Sequence, residues 1–390
     1  MAQDALMTTY KRLPVAFERG AGAYLYDRDG REYLDALTGL AVCGLGHAHP
    51  RVTAAITAQA GKLLHTSNLY EMPMQRELAE RLCALSGMDR VFFGNSGAEA
   101  NEAAIKIARL YARSRKFAQG SIIVMEGSFH GRTLATLSAT GNRKVQAGFE
   151  PLVSGFVRAP YADIEAVRKI AETQADVVAV LVEPVLGEGG VAVPPADYLP
   201  ALRTLCDVND WLLMLDEVQT GNGRTGKYFA YQHYGILPDV VTTAKGLANG
   251  VPIGACLARG HAAELLVPGT HGSTFGGNQL ACAAAHAVLD ALTQDGLIER
   301  AQVLGTRIRQ RLTSALHGAN QVVEVRGLGL MIGIELTAAV PQLVEQALAA
   351  GVLLNVTTDK VVRLLPPLIL TDAQADELAD RVAALVRSAL

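Results

Sequence analysis

The sequence predicts an α/β protein with a large domain built on a mostly parallel, doubly wound sheet and a smaller α+β domain. The chain has 390 residues, half of them hydrophobic, and contains 38 glycines, which favours two domains with a sizeable core. Between about residues 90 and 258, near-continuous apolar runs alternate with helical patterns, as expected for strands buried on both faces of an open sheet. These runs are Val91–Phe93, Ile122–Met125, Val177–Val182, Trp211–Leu215 and Ile253–Leu257.

The remaining elements follow in chain order from the same kind of pattern. Ser96–Leu110 is rich in helix-forming residues and begins with small capping residues, which predicts a helix entered through a tight turn. After residue 286 the pattern predicts amphipathic helices, a strand at Leu328–Leu336 and a closing helix near Asp372–Arg387. We therefore expect residues 46–285 to form the large domain, and residues 1–45 and 286–390 to form the small domain together.

Charge and composition argue against several classes of protein. The formal charge of −3 gives no sign of a nucleic-acid or anionic-membrane partner. The N-terminus lacks the apolar core of a signal peptide, and no apolar stretch approaches the roughly 18 residues of a membrane span, so we expect a cytoplasmic protein.

The five cysteines lack C-x-x-C spacing and fit reduced, mostly buried thiols; they are Cys43, Cys83, Cys206, Cys256 and Cys282. No metal site is expected, because His47 and His49 have no further ligand at zinc spacing and fit a turn or packing role better.

The most informative segment is Trp211–Gly221, in which a buried strand leads directly into Asp216. Ligands of doubly wound sheets bind outside the carboxyl ends of the strands, where Asp216 is expected. A carboxylate there can keep a pyridine nitrogen protonated, since a nearby negative charge favours the cationic form. The alternative is a solvated aspartate at an ordinary junction between a strand and a loop.

A second strand-like run, Val240–Ala244, delivers Lys245 into a glycine-flanked loop. A lysine at the mouth of a crevice can form an imine, because desolvation or a neighbouring cation lowers its pKa. The alternative for this residue is an exposed lysine on a loop.

The turn Gly94–Glu99 precedes the helix predicted above and offers free backbone amides to a phosphate. An ordinary N-capped helix is the alternative. The segment Gly221–Lys227 also resembles two nucleotide-binding motifs, but it neither follows its strand closely nor begins a clear helix, and Tyr228 occupies the position where a P-loop needs Ser or Thr.

The phosphate turn, the strand-end Asp216 and the loop Lys245 occur together in the class III aminotransferases, which depend on pyridoxal phosphate, and the chain resembles this family over nearly its full length. The segments that carry the resemblance are Phe93–Glu102, Phe129–Thr133, Glu183–Gly190, the Asp216 segment, Thr243–Lys245 and His271–Asn278.

The resemblance implies a type I fold, pyridoxal 5′-phosphate as cofactor, and a homodimer with its active sites at the interface. Lys245 matches the lysine that forms the Schiff base, and Asp216 matches the partner of the pyridine nitrogen. The resemblance further implies that Ser96, Gly97 and Ala98 bind the phosphate at the turn and that Phe129 lies on the ring. It also implies cofactor contacts by Glu217, Val218 and Gln219 after Asp216, with Gln219 forming a hydrogen bond to the phenolic oxygen. Thr274 would be a phosphate ligand from the neighbouring subunit.

The resemblance also implies the substrates. The amine donor would be N2-acetyl-L-ornithine and the acceptor 2-oxoglutarate, giving N-acetyl-L-glutamate 5-semialdehyde and L-glutamate in arginine biosynthesis, with succinyl-diaminopimelate as a further donor in lysine biosynthesis. Arg132 matches the residue that grips the α-carboxylate of the donor, and Ser273 matches a further substrate contact. Arg363 matches a second arginine, which Glu188 holds until glutamate binds; a purely structural ion pair is the alternative.

Three positions depart from the family pattern: Leu186 replaces an expected Gln, Cys43 an expected Asn, and Gln279 an expected Pro. None of them removes a catalytic group, but they bear on donor identity. Ornithine, succinylornithine or 4-aminobutyrate transamination therefore stays open. The alternatives from other classes are a nicotinamide-dependent dehydrogenase built around Gly221–Gly226 and a non-catalytic binding protein, which would be expected to have lost Lys245 or Asp216.

Overall fold

The computed structural model describes residues 5–389, and three sheets organise them. The strands are β1 (Phe17–Ala21), β2 (Tyr24–Asp27), β3 (Glu32–Asp35), β4 (Arg90–Gly94), β5 (Ser121–Met125), β6 (Phe156–Ala159), β7 (Val177–Val182), β8 (Leu212–Asp216), β9 (Val240–Thr243), β10 (Gly254–Ala258), β11 (Val322–Leu328), β12 (Met331–Leu336), β13 (Val352–Leu353), β14 (Asn355–Thr357) and β15 (Val361–Leu364).

The helices include one left-handed turn, α1, described below. They are α1 (Thr38–Ala41), α2 (Pro50–Ala60), α3 (Pro73–Ser86), α4 (Gly97–Ser114), α5 (Leu134–Ala139), α6 (Arg143–Gln146), α7 (Ile164–Thr173), α8 (Tyr198–Asn209), α9 (Gly260–Ala263), α10 (Gln279–Gln294), α11 (Leu297–Ala315), α12 (Leu343–Ala349) and α13 (Asp372–Ser388). Short 3-10 helices cover Ala230–Tyr234 and Lys245–Ala248.

The central sheet has seven strands in the order β4-β10-β9-β8-β7-β5-β6. The strands from β9 to β6 are mutually parallel, whereas β10 runs antiparallel to both of its neighbours. Every residue of β5, β7 and β8 is buried, because apolar side chains on both faces need cover from helices. The predicted α/β fold with a mostly parallel sheet is confirmed.

Helix α4 packs against this sheet through small residues. Ala100, Ala104 and Ala108 are fully buried and belong to one apolar cluster with the sheet residue Val178. The hydroxyl of Ser96 caps the helix by accepting a hydrogen bond from the Glu99 amide at 3.2 Å, so the helix begins where the sequence predicts.

The two smaller sheets have the orders β1-β2-β3-β13 and β11-β12-β15-β14. In the first, Leu34 near the N-terminus pairs in parallel with Val352 near the C-terminus, so both ends of the chain build one sheet. The proposed domain limits at residues 45 and 285 stay predictions; α10 continues through the second of them.

The strand predicted at Leu328–Leu336 is present as β12 from Met331 to Leu336, but its first part is wrong, because Leu328 ends β11 and the two strands form a hairpin. The chain reverses at Gly329, where φ is +54°. A Cβ atom on Gly329 would lie 2.4 Å from the carbonyl carbon of Thr225, so the turn needs a residue without a side chain.

Helix α1 is a left-handed turn in which all four residues have φ between 50° and 68°. Such a conformation disfavours residues with a Cβ by roughly 1–2 kcal/mol each. The buried Asp35 compensates locally, since its Oδ1 accepts the amide hydrogens of Leu37 at 2.9 Å and Thr38 at 2.7 Å. The Thr38 hydroxyl also donates to the Leu365 carbonyl at 2.7 Å.

His47 belongs to the same structure. Its Nε2 lies 2.8 Å from Asp35 Oδ2, and the hydrogen bond to that carboxylate raises the pKa of His47 to about 9. This contact agrees with the turn or packing role predicted for His47. All five cysteines are free, three of them buried. Among residues 5–389, no helix combines the length and the apolar character needed to cross a membrane.

Candidate active site

A cavity of about 460 Å³ lies at the carboxyl edge of the central sheet. Strands β7, β8 and β9 end beside it, as expected for a ligand site of a doubly wound sheet. Its volume is in the usual range for small-molecule sites. The residues predicted for the site that line it are Ser96, Gly97, Ala98, Phe129, Arg132, Glu188, Asp216, Val218, Gln219 and Lys245. A larger groove of about 850 Å³ follows α4 on the surface and contains none of the predicted residues.

Lys245 follows the end of β9 and is held in an unusual backbone conformation, with φ of +44°. Such strain in a non-glycine residue is typical of functional positions that the surrounding structure over-determines. The pKa of Lys245 is lowered to about 8, chiefly by burial and next by the positive charge of Arg363. The negative charges of Glu188 and Asp216 raise this pKa, but by less. The amine is therefore far more often neutral, and nucleophilic, than an exposed lysine would be.

Asp216 ends β8 and is only 4 % exposed. Its Oδ2 accepts hydrogen bonds from Asn101 Nδ2 at 2.7 Å and His130 Nδ1 at 2.8 Å, and its Oδ1 accepts the Val218 amide at 3.0 Å. Nδ1 of His130 must carry the hydrogen, because an ionised carboxylate can only accept. Asp216 is thus a buried, fixed carboxylate rather than a solvated residue at a strand junction.

The N-terminus of α4 closes one side of the cavity. Within residues 5–389, no protein acceptor takes the amide hydrogens of Gly97 and Ala98. A Cβ atom on Gly97 would lie 2.7 Å from Val218 Cγ1, so the space between the start of α4 and Val218 suits a residue without a side chain. Free amides at a helix N-terminus suit a phosphate group.

Phe129 and Glu183 form a linked pair on another wall. Glu183 Oε1 accepts the amide hydrogen of Phe129 at 2.8 Å, and Oε2 accepts that of Gly187 at 3.0 Å. Burial, followed by the nearby Asp216 charge, raises the pKa of Glu183 to about 7. Glu183 is not among the predicted site residues, although it follows the buried strand β7 just as Asp216 ends β8.

Arg132 is exposed where it lines the cavity, with its guanidinium carbon 5.6 Å from the centre of the Phe129 ring. Arg363, by contrast, is completely buried in β15. Its Nη1 donates to Glu188 Oε1 at 2.6 Å and to Gln219 Oε1 at 3.3 Å. In the described part of the chain its Nη2 is buried without a hydrogen-bond partner.

Four predicted residues, Glu217, Ser273, Thr274 and Arg363, do not line this cavity. Glu217 is fully buried but faces away: its carboxylate accepts the Thr220 hydroxyl and the amides of Ala230 and Tyr231. The expected contact of Glu217 with a cofactor stays a prediction, and the observed contacts of its side chain fix the following loop. Ser273 is half-buried and accepts a hydrogen bond from Asn95 at 3.1 Å, while Thr274 is exposed.

The glycine-rich segment Gly221–Gly226 forms consecutive turns rather than the start of a helix. Arg224 within it is buried and donates to the carbonyl oxygens of Leu330 and Pro366. The segment connects the loop after β8 to the turn between β11 and β12 and to the residues after β15. The dinucleotide interpretation has no helix terminus at this segment to support it.

The residues at the cavity fit pyridoxal 5′-phosphate by their chemistry. Free amides at the end of α4 suit its phosphate, the buried Asp216 carboxylate suits a protonated ring nitrogen, and the amine of Lys245, with its lowered pKa, suits an aldehyde.

Comparison with known proteins gives a consistent result. The family model for class III aminotransferases matches residues 6–386. Acetylornithine aminotransferase from Nitrosomonas europaea is 55% identical over 381 residues, covering 98% of this chain and 97% of the relative. The crystal structure of N-acetylornithine aminotransferase from Stenotrophomonas maltophilia aligns with a TM-score of 0.84 and 38% identity, over 97% of this chain and 96% of that one. Ornithine aminotransferase from Toxoplasma gondii, described with partial occupancy of PLP at its active site, aligns with a TM-score of 0.94 and 35% identity, over 99% and 92% of the two chains.

Proposed function

Because the chain belongs to the class III aminotransferases, which depend on pyridoxal phosphate, we propose that it transfers the δ-amino group of N2-acetyl-L-ornithine to 2-oxoglutarate. The products are N-acetyl-L-glutamate 5-semialdehyde and L-glutamate, a step of arginine biosynthesis. One observation carries the proposal: a lysine with a lowered pKa and a buried carboxylate open into one cavity that ends at free helix amides. Ornithine is the second candidate donor, because the Toxoplasma enzyme has nearly the same fold.

The cofactor contacts made within one subunit are assigned to residues that line the cavity. The amides of Gly97 and Ala98, with Ser96, hold the phosphate, and Phe129 lies against the ring. When bound, pyridoxal phosphate supplies an aldehyde that takes up the amino group and a protonated ring that stabilises the electron pair left by the broken C–H bond.

The protein contributes charge and proton transfer. Asp216 keeps the ring nitrogen protonated, because its fixed negative charge favours the cationic form. Lys245 Nζ accepts the proton that the substrate carbon releases and returns it later, a role for which a pKa near the working pH is suited. Gln219 is placed after Asp216 to donate to the phenolic oxygen.

Substrate selection falls to the two arginines. Arg132, at the cavity, binds the α-carboxylate of acetylornithine, and Ser273 adds a contact. Arg363 stays paired with Glu188 while this donor is bound and is released for the carboxylate of glutamate or 2-oxoglutarate. The unpaired Nη2 of Arg363 and the 40% exposure of the Glu188 side chain support a pair that can open; a permanent structural ion pair is the alternative.

We propose a cytoplasmic homodimer in which Thr274 contacts the phosphate bound by the partner subunit. Thr274 is exposed and lies outside the cavity of its own chain, beside the exposed Phe275. Mixing of two inactive variants, Lys245→Ala and Thr274→Arg, tests this arrangement. Random dimers should regain about a quarter of wild-type activity, since half of them hold one intact site made from both chains. If Thr274 served its own subunit, no mixture would be active.

The first experiment on the function is the visible spectrum of the purified protein with and without N-acetylornithine, in the absence of a keto acid. We expect a cofactor band that acetylornithine removes faster than ornithine or 4-aminobutyrate does. A band that responds only to another amine keeps the aminotransferase and replaces the donor. Lack of any band after incubation with pyridoxal phosphate contradicts the proposal.

A further inference from the structure

Asn101 lies at the meeting point of four parts of the site and has not been given a role above. It is on α4 and only 1% exposed. Its Nδ2 donates to Asp216 Oδ2 at 2.7 Å and to the His130 carbonyl at 2.8 Å, while its Oδ1 accepts the Thr242 hydroxyl at 2.6 Å. Both donor hydrogens and the acceptor oxygen of the amide are therefore used.

The orientation of this amide is fixed by chemistry. The Asp216 carboxylate and the His130 carbonyl can only accept hydrogen bonds, so the NH2 group must face them. A flipped amide would place its oxygen against two acceptors and leave no donor for Asp216. Thr242 completes the arrangement, because its hydroxyl donates to the remaining oxygen.

The position of Asn101 in the fold links distant parts of the chain. It follows Gly97 by four residues, so it lies one turn further along the same face of α4 as the free amides. Thr242 is in β9, three residues before Lys245, and His130 follows Phe129. Asparagine is a weak helix former, and its presence within an alanine-rich helix is explained by these contacts rather than by helix stability.

We propose that Asn101 is a positioning residue that directs the Asp216 carboxylate toward the ring nitrogen of the cofactor and fixes it relative to the phosphate site on α4. The inference rests on the proposed function, because it assigns Asn101 a role only through the contact between Asp216 and the ring nitrogen. Replacing the amide by a carboxylate would remove both donors and place a like charge beside Asp216, so that the two groups would share a proton.

The test compares two cofactors in the full-length enzyme: pyridoxal phosphate and its 1-deaza analogue, in which C–H replaces the ring nitrogen. Release of each from the reconstituted holoenzyme is followed by loss of its absorbance band after transfer to cofactor-free buffer. In Asn101→Asp we expect pyridoxal phosphate to leave at least about tenfold faster than from wild type, as for loss of a hydrogen bond to a charged group. Release of the analogue should stay within about twofold, because it offers Asp216 no nitrogen.

Asn209→Asp is the matched control, since Asn209 also lies on a helix and is half-buried. Within residues 5–389 its side chain donates only to the carbonyl of Leu205 in its own helix. It should release both cofactors as wild type does. Equal acceleration for both cofactors in Asn101→Asp would mean a merely structural role and overturn the inference. Failure of wild type to retain pyridoxal phosphate would overturn the proposed function and the inference together.

Thr242→Val provides a second route if Asn101→Asp does not fold. It preserves the shape of the side chain and removes only the hydroxyl that orients the Asn101 amide. We expect the same selectivity for pyridoxal phosphate with a smaller effect, about threefold. Unchanged release of both cofactors in this well-folded variant would also overturn the inference.

Discussion

The lowered pKa of Lys245 can be tested by two substitutions that act in opposite directions. With a pKa of about 8 instead of 10.5, about one amine in ten is neutral at pH 7 rather than about one in three thousand. Arg363→Met removes a cation that lowers this pKa and frees Glu188, whose charge raises it. Glu188→Gln removes that opposing anion and leaves the cation in place.

The assay is the rate at which Lys245 captures pyridoxal phosphate in cofactor-stripped protein, measured by stopped-flow absorbance between pH 6 and 11. We expect the rate to rise with pH around a midpoint of about 8 in wild type. The midpoint should move up by roughly one pH unit in Arg363→Met and down in Glu188→Gln. The changes should be no larger, because burial, which both variants retain, is the main cause of the lowered pKa of Lys245. Arg311→Met is the control, as Arg311 pairs with Asp380 on the surface.

Two results would refute this reasoning. A wild-type midpoint near 10.5 would mean that the amine is not desolvated. Shifts of the same sign in Arg363→Met and Glu188→Gln would mean that the midpoint follows general damage to the site rather than the charge near Lys245.

Three further predictions concern single positions. Gly97→Ala should weaken binding of pyridoxal phosphate by tenfold or more in a titration, because its Cβ would lie 2.7 Å from Val218, whereas Gly61→Ala, with its nearest neighbour at 3.8 Å, should not. Arg132→Lys should raise KM for the amine donor about tenfold with little change in kcat, since lysine cannot bind a carboxylate in bidentate fashion; steady-state kinetics with a falling kcat and constant KM would contradict that. Glu217→Gln should lower stability by about 1–3 kcal/mol while cofactor affinity stays constant. Burial raises the pKa of Glu217 to about 7, so its contribution to stability falls as pH rises from about 4.5 to 7, and the variant should lose this slope in thermal melts.

The sequence predicts the central sheet well because its strands are buried on both faces. Val177–Val182 agrees with β7 residue for residue, since an unbroken, valine-rich apolar run is typical of a strand buried on both faces. The reversal at Gly329 is not predicted because it needs only two residues, and Leu328–Leu336 is apolar apart from its glycines and Glu335. The antiparallel direction of β10 could not be predicted either, as an apolar run carries no direction.

At the site, the resemblance identified the residues that line the cavity, but their local geometry decides which of them face it. Asp216 and Glu217 are adjacent, yet side chains alternate along an extended chain, so one faces the cavity and the other the loop behind it. Asn101 and Glu183 form hydrogen bonds with Asp216 and with the backbone of Phe129, and such contacts appear only in three dimensions. The signals available in the sequence were an asparagine in an alanine-rich helix and a carboxylate after a buried strand.

The parallel pairing of Leu34 with Val352 has a consequence for how the protein is made. During synthesis, β3 leaves the ribosome long before β13 does, because most of the chain lies between them, and its edge stays open in the meantime. Asp35, at the end of β3, holds the left-handed turn that leads to Val42 at the cavity. We therefore expect this wall of the cavity to become stable only after translation has passed residue 353, later than the central sheet, whose strands end at Ala258.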